Sequence, residues 1–310
     1  MTIGQAKIKA KAFLSGNNSS GYVSPSPDLD IDCILLWLLN KNKTWLLMNR
    51  DFPLDQLEAQ FFEAIEKRTK GLPVAYITGH KEFYGYDFMV SPSVLIPKPD
   101  TEILVEKAID MIIAKMEARP QIVLSVCDMC TGSGCVGLSV LRTLIDEYKI
   151  PAGDLPKFTF VDISMDALKV AKQNASRLLS EDELELVRFI QSDLFYDVPY
   201  TFDVILTNPP YVPGKMVDEL LKDGRNEPRL ALDGDVQEGG IQSGSTDGLD
   251  LIRRLWPGCY ERLIFNGVVL METGEYNAKE SAKIARESGF RMTRIFEDLE
   301  GQLRVTEAIK

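Results

Sequence analysis

The tetrapeptide Asn208-Pro209-Pro210-Tyr211 follows a short apolar run, Phe202-Asp203-Val204-Ile205-Leu206-Thr207, at the point where such a strand would leave a sheet. Two consecutive prolines hold φ in the extended region and remove two N–H donors. The Asn208 side chain and the carbonyls of Asn208 and Pro209 are then free to face a pocket as acceptors, and Tyr211 adds an aromatic face. Acceptors aimed at an –NH₂ group, beside a ring that can lie against a cationic methyl donor, are what methyl transfer from S-adenosylmethionine to an amide or exocyclic amine requires. On turn statistics alone the same four residues make a proline-stiffened loop. Their surroundings give the chemical reading its weight.

A second cluster has the makings of a binding site. Val126-Cys127-Asp128-Met129-Cys130-Thr131-Gly132-Ser133-Gly134-Cys135-Val136-Gly137 is preceded by Ile122-Val123-Leu124 and followed by an amphipathic stretch to Ile145, which reads as strand, glycine turn, helix. Gly132 and Gly134 let the backbone turn tightly against a ligand, and the helix N-terminus offers unpaired N–H groups to an anion. Gly132, Gly134 and Gly137 also satisfy the dinucleotide fingerprint G-x-G-x-x-G. The next strand, Lys157-Phe158-Thr159-Phe160-Val161-Asp162, ends on an acid suited to two ribose hydroxyls, as in nicotinamide enzymes and methyltransferases alike. These two motifs specify an adenosine-ribose site and leave the cofactor open.

The elements that must position these residues fall into two groups. Residues 1 to about 80 read as helical. Asp30-Ile31-Asp32 opens a face of Leu35, Leu38 and Leu39, and a second segment from Asp55 to Arg68 carries Leu57, Phe61, Phe62 and Ile65. Gly16 to Pro27 is a loop by composition. The aromatic and β-branched run from Glu82 to Val94 predicts a hairpin joining two domains, and Pro97-Lys98-Pro99-Asp100-Thr101-Glu102 opens a helix capped by Asp100 or Thr101. Beyond Gln121, strands are expected near 122–127, 157–162, 186–191, 202–207 and 267–272, alternating with helices near 134–145, 165–179, 247–256 and 276–288. That alternation means a parallel sheet covered on both faces. Phe290–Phe296 and Arg304–Ile309 are strand-like runs too close together for a parallel crossover, so the last strand should return antiparallel. Such an ending belongs to the class I methyltransferase fold and not to nicotinamide domains.

A chain of 310 residues that is 45% apolar can bury a large core. Its formal charge of −11, without a basic stripe, argues against direct nucleic-acid binding. The longest apolar run, Cys33 to Leu39, falls short of the ~18 residues of a membrane span, and the N-terminus has no secretory h-region. We therefore expect a cytoplasmic protein that neither enters a membrane nor forms oligomers. Cys127-x-x-Cys130 has no second pair to complete a zinc or redox site, and the only histidine is His80, in a turn-like setting. No metal is expected, and the cysteines read as reduced, buried thiols.

The chain resembles the protein-(glutamine-N5) methyltransferases of peptide-chain release factors, the HemK or PrmC family. The resemblance rests on Ala75-Tyr76-Ile77-Thr78-Gly79-His80-Lys81-Glu82-Phe83-Tyr84-Gly85, Val94-Leu95-Ile96-Pro97-Lys98-Pro99-Asp100-Thr101-Glu102, the glycine turn, Val161-Asp162-Ile163-Ser164, Ser192-Asp193-Leu194, the Asn-Pro-Pro-Tyr strand and Glu227-Pro228-Arg229-Leu230-Ala231-Leu232. It spans residues 28 to 310. Its implied fold is a class I S-adenosylmethionine-dependent methyltransferase domain, α/β with a mostly parallel sheet, at 98–310. A small N-terminal helical domain at 1–81 would recognise the release factor, and 82–97 would be a hairpin linker.

The implied reaction moves a methyl group from S-adenosyl-L-methionine to the side-chain amide of the glutamine in a Gly-Gly-Gln loop, leaving S-adenosyl-L-homocysteine. By the same resemblance, Asp128, Cys130, Thr131, Gly132, Ser133 and Gly134 would hold the cofactor's methionine moiety. Asp162 would hold the ribose, and Asp193 and Leu194 would border the adenine. Asn208, Pro209, Pro210 and Tyr211 would bind the glutamine, with Asn208, Pro209 and Tyr211 acting in the chemistry and Asn208 also bordering the cofactor. Tyr211 would act through its ring.

Two features depart from the family pattern. Glycine is usual at the position of Cys130, so the turn must accept a Cβ, which narrows the pocket if φ there is positive. Asp233–Asp247 is longer than the family's loop and reads as a mobile stretch, either covering the site or inserted at the surface. The alternative function is DNA or RNA amine methylation, at adenine N6 or guanine N2, which would share Asn-Pro-Pro-Tyr. A nicotinamide oxidoreductase or a cofactor-keeping binding protein would leave that motif without a role.

Overall fold

The computed structural model describes residues 1–236 and 244–310, and the chain divides into two compact units. The first is Met1–His80 together with Glu219–Asn226. Its helices are Ile3–Leu14, Pro27–Leu39, Lys43–Met48, Glu58–Thr69 and Val74–Thr78, closed over Ile3, Leu14, Ile31, Ile34, Leu35, Phe61 and Ile65. The first is started by a capping box, Thr2 with Gln5. The second opens three residues before the expected Asp30, because Pro27 at its first position supplies a helical φ and needs no donor. Asp30 is instead buried within that helix, 2.6 Å from Arg68 Nε and accepting from the Ser24 hydroxyl.

The loop Gly16–Pro27 is tied down within this unit. Ser20 donates to the Thr69 carbonyl, and the Arg68 guanidinium lies 4.9 Å from the Tyr22 ring centroid. The excursion Glu219–Asn226 belongs to this unit although the residues on either side of it belong to the other. It meets Gly71 so closely that a Cβ on Gly224 would stand 2.4 Å from the Lys70 carbonyl oxygen.

The second unit is Lys81–Asp218 with Glu227–Lys310. A hairpin of β1 (His80–Phe83) and β2 (Tyr86–Met89) turns at Tyr84-Gly85, both at positive φ. It is more than a linker, since Phe83 and Phe88 are buried in the same core as Leu104, Val126 and Phe158. The main sheet contains β3 (Ser125–Met129), β4 (Lys157–Asp162), β5 (Val187–Gln191), β6 (Phe202–Thr207), β7 (Leu263–Glu272), β8 (Met292–Glu297) and β9 (Leu303–Ile309), in the order β5-β4-β3-β6-β7-β9-β8. The pairs β3·β4, β3·β6, β4·β5 and β6·β7 are parallel, and β9 runs antiparallel to both its neighbours. The antiparallel return expected from the tail is therefore present, in the class I methyltransferase arrangement.

Side-chain alternation along the strands builds two cores. Val126, Val204 and Leu206 face one; Cys127, Met129 and Ile205 face the other, which contains Trp256. Trp256 donates its indole N–H to Ser281 Oγ at 3.1 Å. Strand order reverses between β4–β3 and β3–β6, so the carboxyl ends of these strands open a crevice at the topological switch point. Among the described residues no helix is long and apolar enough to cross a membrane.

Candidate active site

The crevice is built first from the glycine turn. Asp128, near the end of β3, is buried, and its Oδ2 accepts from Thr131 Oγ1 at 2.7 Å and from Gly137 N at 3.0 Å. The carboxyl thus pins the turn to the first turn of helix Cys135–Asp146. Burial pushes it up to about 7. Cys130 has φ +58°, the left-handed backbone that the Gly-to-Cys departure raised as a question. A side chain there carries roughly 1–2 kcal/mol of strain, and burial pushes its thiol up. None of the five cysteines is in a disulfide.

Gly132, at φ +56°, has no atom within 4 Å of where a Cβ would stand. Gly137 is needed for close packing, because its Cβ would lie 2.6 Å from the Phe160 ring. Gly134, at φ +79°, caps the helix and faces Leu138 and Ala171, so it shapes the turn without lining the crevice. Ser133 does line it, and Ser133 Oγ is buried without a hydrogen-bond partner.

Asp162 ends β4 on the crevice wall. Its Oδ2 accepts from Gly132 N and its Oδ1 from Ser164 N, both at 2.9 Å. An ionised carboxylate has about four lone-pair sites, which leaves one on each oxygen for a diol. Asp193 and Leu194 line the same crevice; Asp193 is held by Arg254 at 2.7 Å, and Leu194 is at φ +49°. At the rim, Lys98 Nζ lies 2.7 Å from the buried carboxylate of Glu227, which joins the Pro-Lys-Pro and Glu-Pro-Arg segments.

The Asn-Pro-Pro-Tyr turn leaves the end of β6, and the structure divides its four residues. Asn208 and Pro210 line the crevice, whereas Pro209 is buried and, like Tyr211, is not on its wall. Asn208 Nδ2 donates to Thr101 Oγ1 at 3.2 Å. The Tyr211 hydroxyl donates to Glu272 Oε1 at 3.1 Å, so it is engaged where the sequence suggested that only the ring would matter. Burial raises that hydroxyl's pKa, and Glu272 adds to the rise. The Tyr211 carbonyl accepts from Asn277 Nδ2 at 2.9 Å and from the Tyr276 hydroxyl at 3.4 Å.

Thr101, expected as a helix cap, makes no capping bond to the helix Glu102–Ala118. Sequence reasoning assigned site roles neither to it nor to Arg254, Asn277 or Glu272. The available signal for Glu272 was its place as the last residue of an expected strand, level with the other crevice-forming ends.

The loop after residue 232 is anchored at both ends. Asp235 Oδ2 accepts from Gly214 N at 3.1 Å and its Oδ1 from Gly248 N at 2.7 Å, and a Cβ on Gly248 would lie 2.2 Å from the Tyr211 carbonyl oxygen. The cover expected of Asp233–Asp247 falls largely on residues 237–243, which lie outside the described residues. His80, expected in a solvated turn, is half-buried at the start of β1.

The arrangement combines the glycine turn and the Asp162 carboxylate with the Asn208 amide on one crevice wall. Known proteins are similar to this chain. The family model of the PrmC N-terminal domain matches residues 5–79, and that of the methyltransferase small domain matches residues 104–234. The release factor glutamine methyltransferase of Koribacter versatilis is 36% identical over 98% of this chain and 97% of its own length. That of Clostridium acetobutylicum is 32% identical over 100% and 99%. Among solved structures, a methyltransferase from Pyrococcus furiosus is similar over 74% of this chain and 90% of its own, at 16% identity and a TM-score of 0.47.

Proposed function

The chain belongs to the release factor glutamine methyltransferase family, and on that premise we propose that it methylates the side-chain amide nitrogen of a release-factor glutamine with S-adenosylmethionine as donor. The observation that carries this reading is the place of Asn208, at the end of β6 and on the wall of the crevice that Asp162 and the glycine turn also line. Cofactor and acceptor amide can therefore meet.

The residues present fit the cofactor. Gly132 opens onto unfilled space, and Asp162 retains one acceptor site per oxygen after satisfying Gly132 and Ser164. Asp162 would hold the ribose, Asp128 and Cys130–Gly134 would shape the methionine side, and Asp193 and Leu194 would border the base. S-adenosylmethionine supplies an electrophilic methyl group on a sulfonium. Asn208, which lines the crevice, would accept from the substrate –NH₂ through its Oδ1, orienting the nitrogen and favouring its change from planar to tetrahedral. The nitrogen would gain the methyl while the C–S electron pair stays on the donor's sulfur, leaving a neutral thioether, and would lose one proton to water; the positive charge that develops on it would be met by Asn208 Oδ1. Asn208 is no base, so its contribution is alignment and electrostatics. Pro210 borders the substrate. Tyr211, tied to Glu272, holds the turn's far end. We assign factor recognition to the unit that contains residues 5–79.

The direct test is transfer of labelled methyl from S-adenosylmethionine to a purified release factor, with mass mapping of the modified residue. A single methyl on the Gly-Gly-Gln glutamine is expected. Faster labelling of duplex or single-stranded nucleic acid would overturn the substrate assignment.

Asp162→Ala is expected to weaken S-adenosylmethionine binding by roughly 1.5–3 kcal/mol, the loss of two hydrogen bonds to a charged acceptor. Calorimetry would measure it. Because Asp162 also accepts from Gly132 and Ser164, the free variant should melt at a lower temperature. Undiminished affinity would remove Asp162 from the cofactor site.

A further inference from the structure

We propose that Asn174, to which the methyl-transfer reading gives no part, is a positioning residue for the cofactor. From within the helix Met165–Leu178 its side chain ties the glycine turn at Ser133 to the end of the hairpin at Met89, and so fixes two walls of the crevice against each other. The inference rests on the cofactor part of that reading and not on which substrate is methylated.

An asparagine inside a helix is disfavoured, because its amide competes with the backbone for hydrogen bonds, and burying that amide adds a desolvation cost. Asn174 is nonetheless 0% exposed. Three bonds compensate. Its Oδ1 accepts from Met89 N at 2.7 Å, and its Nδ2 donates to the Met89 carbonyl at 3.0 Å and to the Ser133 carbonyl at 2.9 Å.

These partners fix which way round the amide stands. Turned over, it would set its –NH₂ against the Met89 N–H and its oxygen against two carbonyls, losing all three bonds. The pairing with Met89 copies what a neighbouring strand would give, one bond in each direction, and leaves the second donor for Ser133. No other side chain of this size fits. Leucine makes none of the three bonds, and an ionised aspartate keeps only the acceptor.

Both anchored segments wall the crevice. Ser133 lines it, with a buried Oγ that has no partner, and the chain leaving β2 supplies Ser93, Val94, Leu95 and Pro97. Ser133 stands between Gly132 and Gly134, both at positive φ, in a stretch with glycine's backbone freedom. Holding its carbonyl removes in advance a freedom that cofactor binding would otherwise have to quench. Asn174 bonds to neither Asn208 nor Asp162, so its effect should fall on cofactor affinity and not on turnover.

The test titrates S-adenosylhomocysteine into the full chain by calorimetry. Asn174→Asp, and Asn174→Leu where it folds, should raise Kd about tenfold or more, the effect of stranding buried carbonyls. With an intact release factor and saturating cofactor, kcat should stay within about threefold. The pH profile separates the donor from mere packing. The carboxyl introduced by Asn174→Asp faces two carbonyls, and once protonated it regains one donor. Its loss of affinity, relative to the wild type at the same pH, should therefore shrink from about pH 8 to about pH 5. A Kd within twofold of wild type in Asn174→Asp, a loss that does not shrink on acidification, or a fall in kcat as large as the loss of affinity would overturn the proposal.

A second readout needs no turnover. The Met89 amide, held by Asn174 Oδ1, should exchange its hydrogen at least about fivefold more slowly when S-adenosylhomocysteine is bound, because a turn fixed by ligand holds Asn174 through Ser133. In Asn174→Asp at neutral pH, which keeps the acceptor for Met89 but not the donor for Ser133, that response should vanish. A merely structural role would change exchange in the free and bound protein alike and leave the response in place. A response missing from the wild type, or kept in the variant, would overturn the tie. A wild type that shows the whole pattern yet methylates no release factor would refute the substrate reading and leave the tie standing. One that binds no S-adenosylhomocysteine would overturn the cofactor reading and this inference with it.

Discussion

Asn208→Ala should lower kcat for release-factor methylation by about two to three powers of ten, the effect of removing one preorganised acceptor from a transition state. Cofactor affinity should stay within a few fold, because Asp162, the glycine turn and Asp193 follow other strand ends and do not bond to Asn208. The measurement is a kcat and KM series beside calorimetric titration of S-adenosylmethionine. Asn208→Asp makes the argument sharper. It keeps an acceptor toward the crevice but cannot donate to Thr101, so it should fall between wild type and alanine. Wild-type turnover in Asn208→Ala would exclude the side chain from the chemistry, and equal losses in kcat and cofactor affinity would show that the change had deformed the crevice.

The sheet was largely legible because its signals are local. The strands over 157–162 and 202–207 have the expected bounds, since each is a compact apolar run between polar breaks. Where runs are ragged the bounds moved. The first expected strand, 122–127, becomes Ser125–Met129, with Ile122 and Val123 left exposed. The helix expected at 247–256 runs Asp250–Arg262 through Pro257, because packing of Trp256 and Cys259 outweighs the missing donor. The short helix Gly214–Leu220 was missed.

The site was legible in its glycines, Asp162 and Asn208, whose chemistry is tied to a position at a strand end. Its supports were not. Thr101 reads as a helix cap in sequence, and only the tertiary structure brings Asn208 to its hydroxyl. Tyr211 likewise reads as an aromatic face, while the partner of its hydroxyl, Glu272, is 61 residues away. Hydrogen bonds between distant segments leave no periodicity to read. The same is true of Glu219–Asn226, which is contiguous in sequence with the second unit and packs in the first.

Free Gly-Gly-Gln tripeptide should be at least about a thousandfold poorer, in kcat/KM, than the intact release factor. A stable protein complex typically buries ~1,600 Å², and such interfaces bind at micromolar or better, while the tripeptide offers the reacting amide and little else. The difference between micromolar and millimolar binding is about 4 kcal/mol. That energy is available to place the glutamine against Asn208 without touching the reacting atoms.

If the unit formed by Met1–His80 and Glu219–Asn226 supplies this contact, charging its exposed apolar residues should weaken only the protein reaction. Leu47 and Met48, 60% and 80% exposed, are the natural pair. Leu47→Glu/Met48→Glu should lower kcat/KM for the factor by tenfold or more, leaving tripeptide turnover and cofactor affinity unchanged. Deleting residues 1–80 is the poorer experiment, because it strips Glu219–Asn226 of its packing at Gly71 and sends that damage back along the chain toward Gly214 and Glu227. Equal losses of the surface variant on both substrates would mean that the change had reached the crevice. No loss on either would return factor recognition to the second unit, whose hairpin at β1 and β2 and loop ends at Asp235 and Gly248 would be next to change.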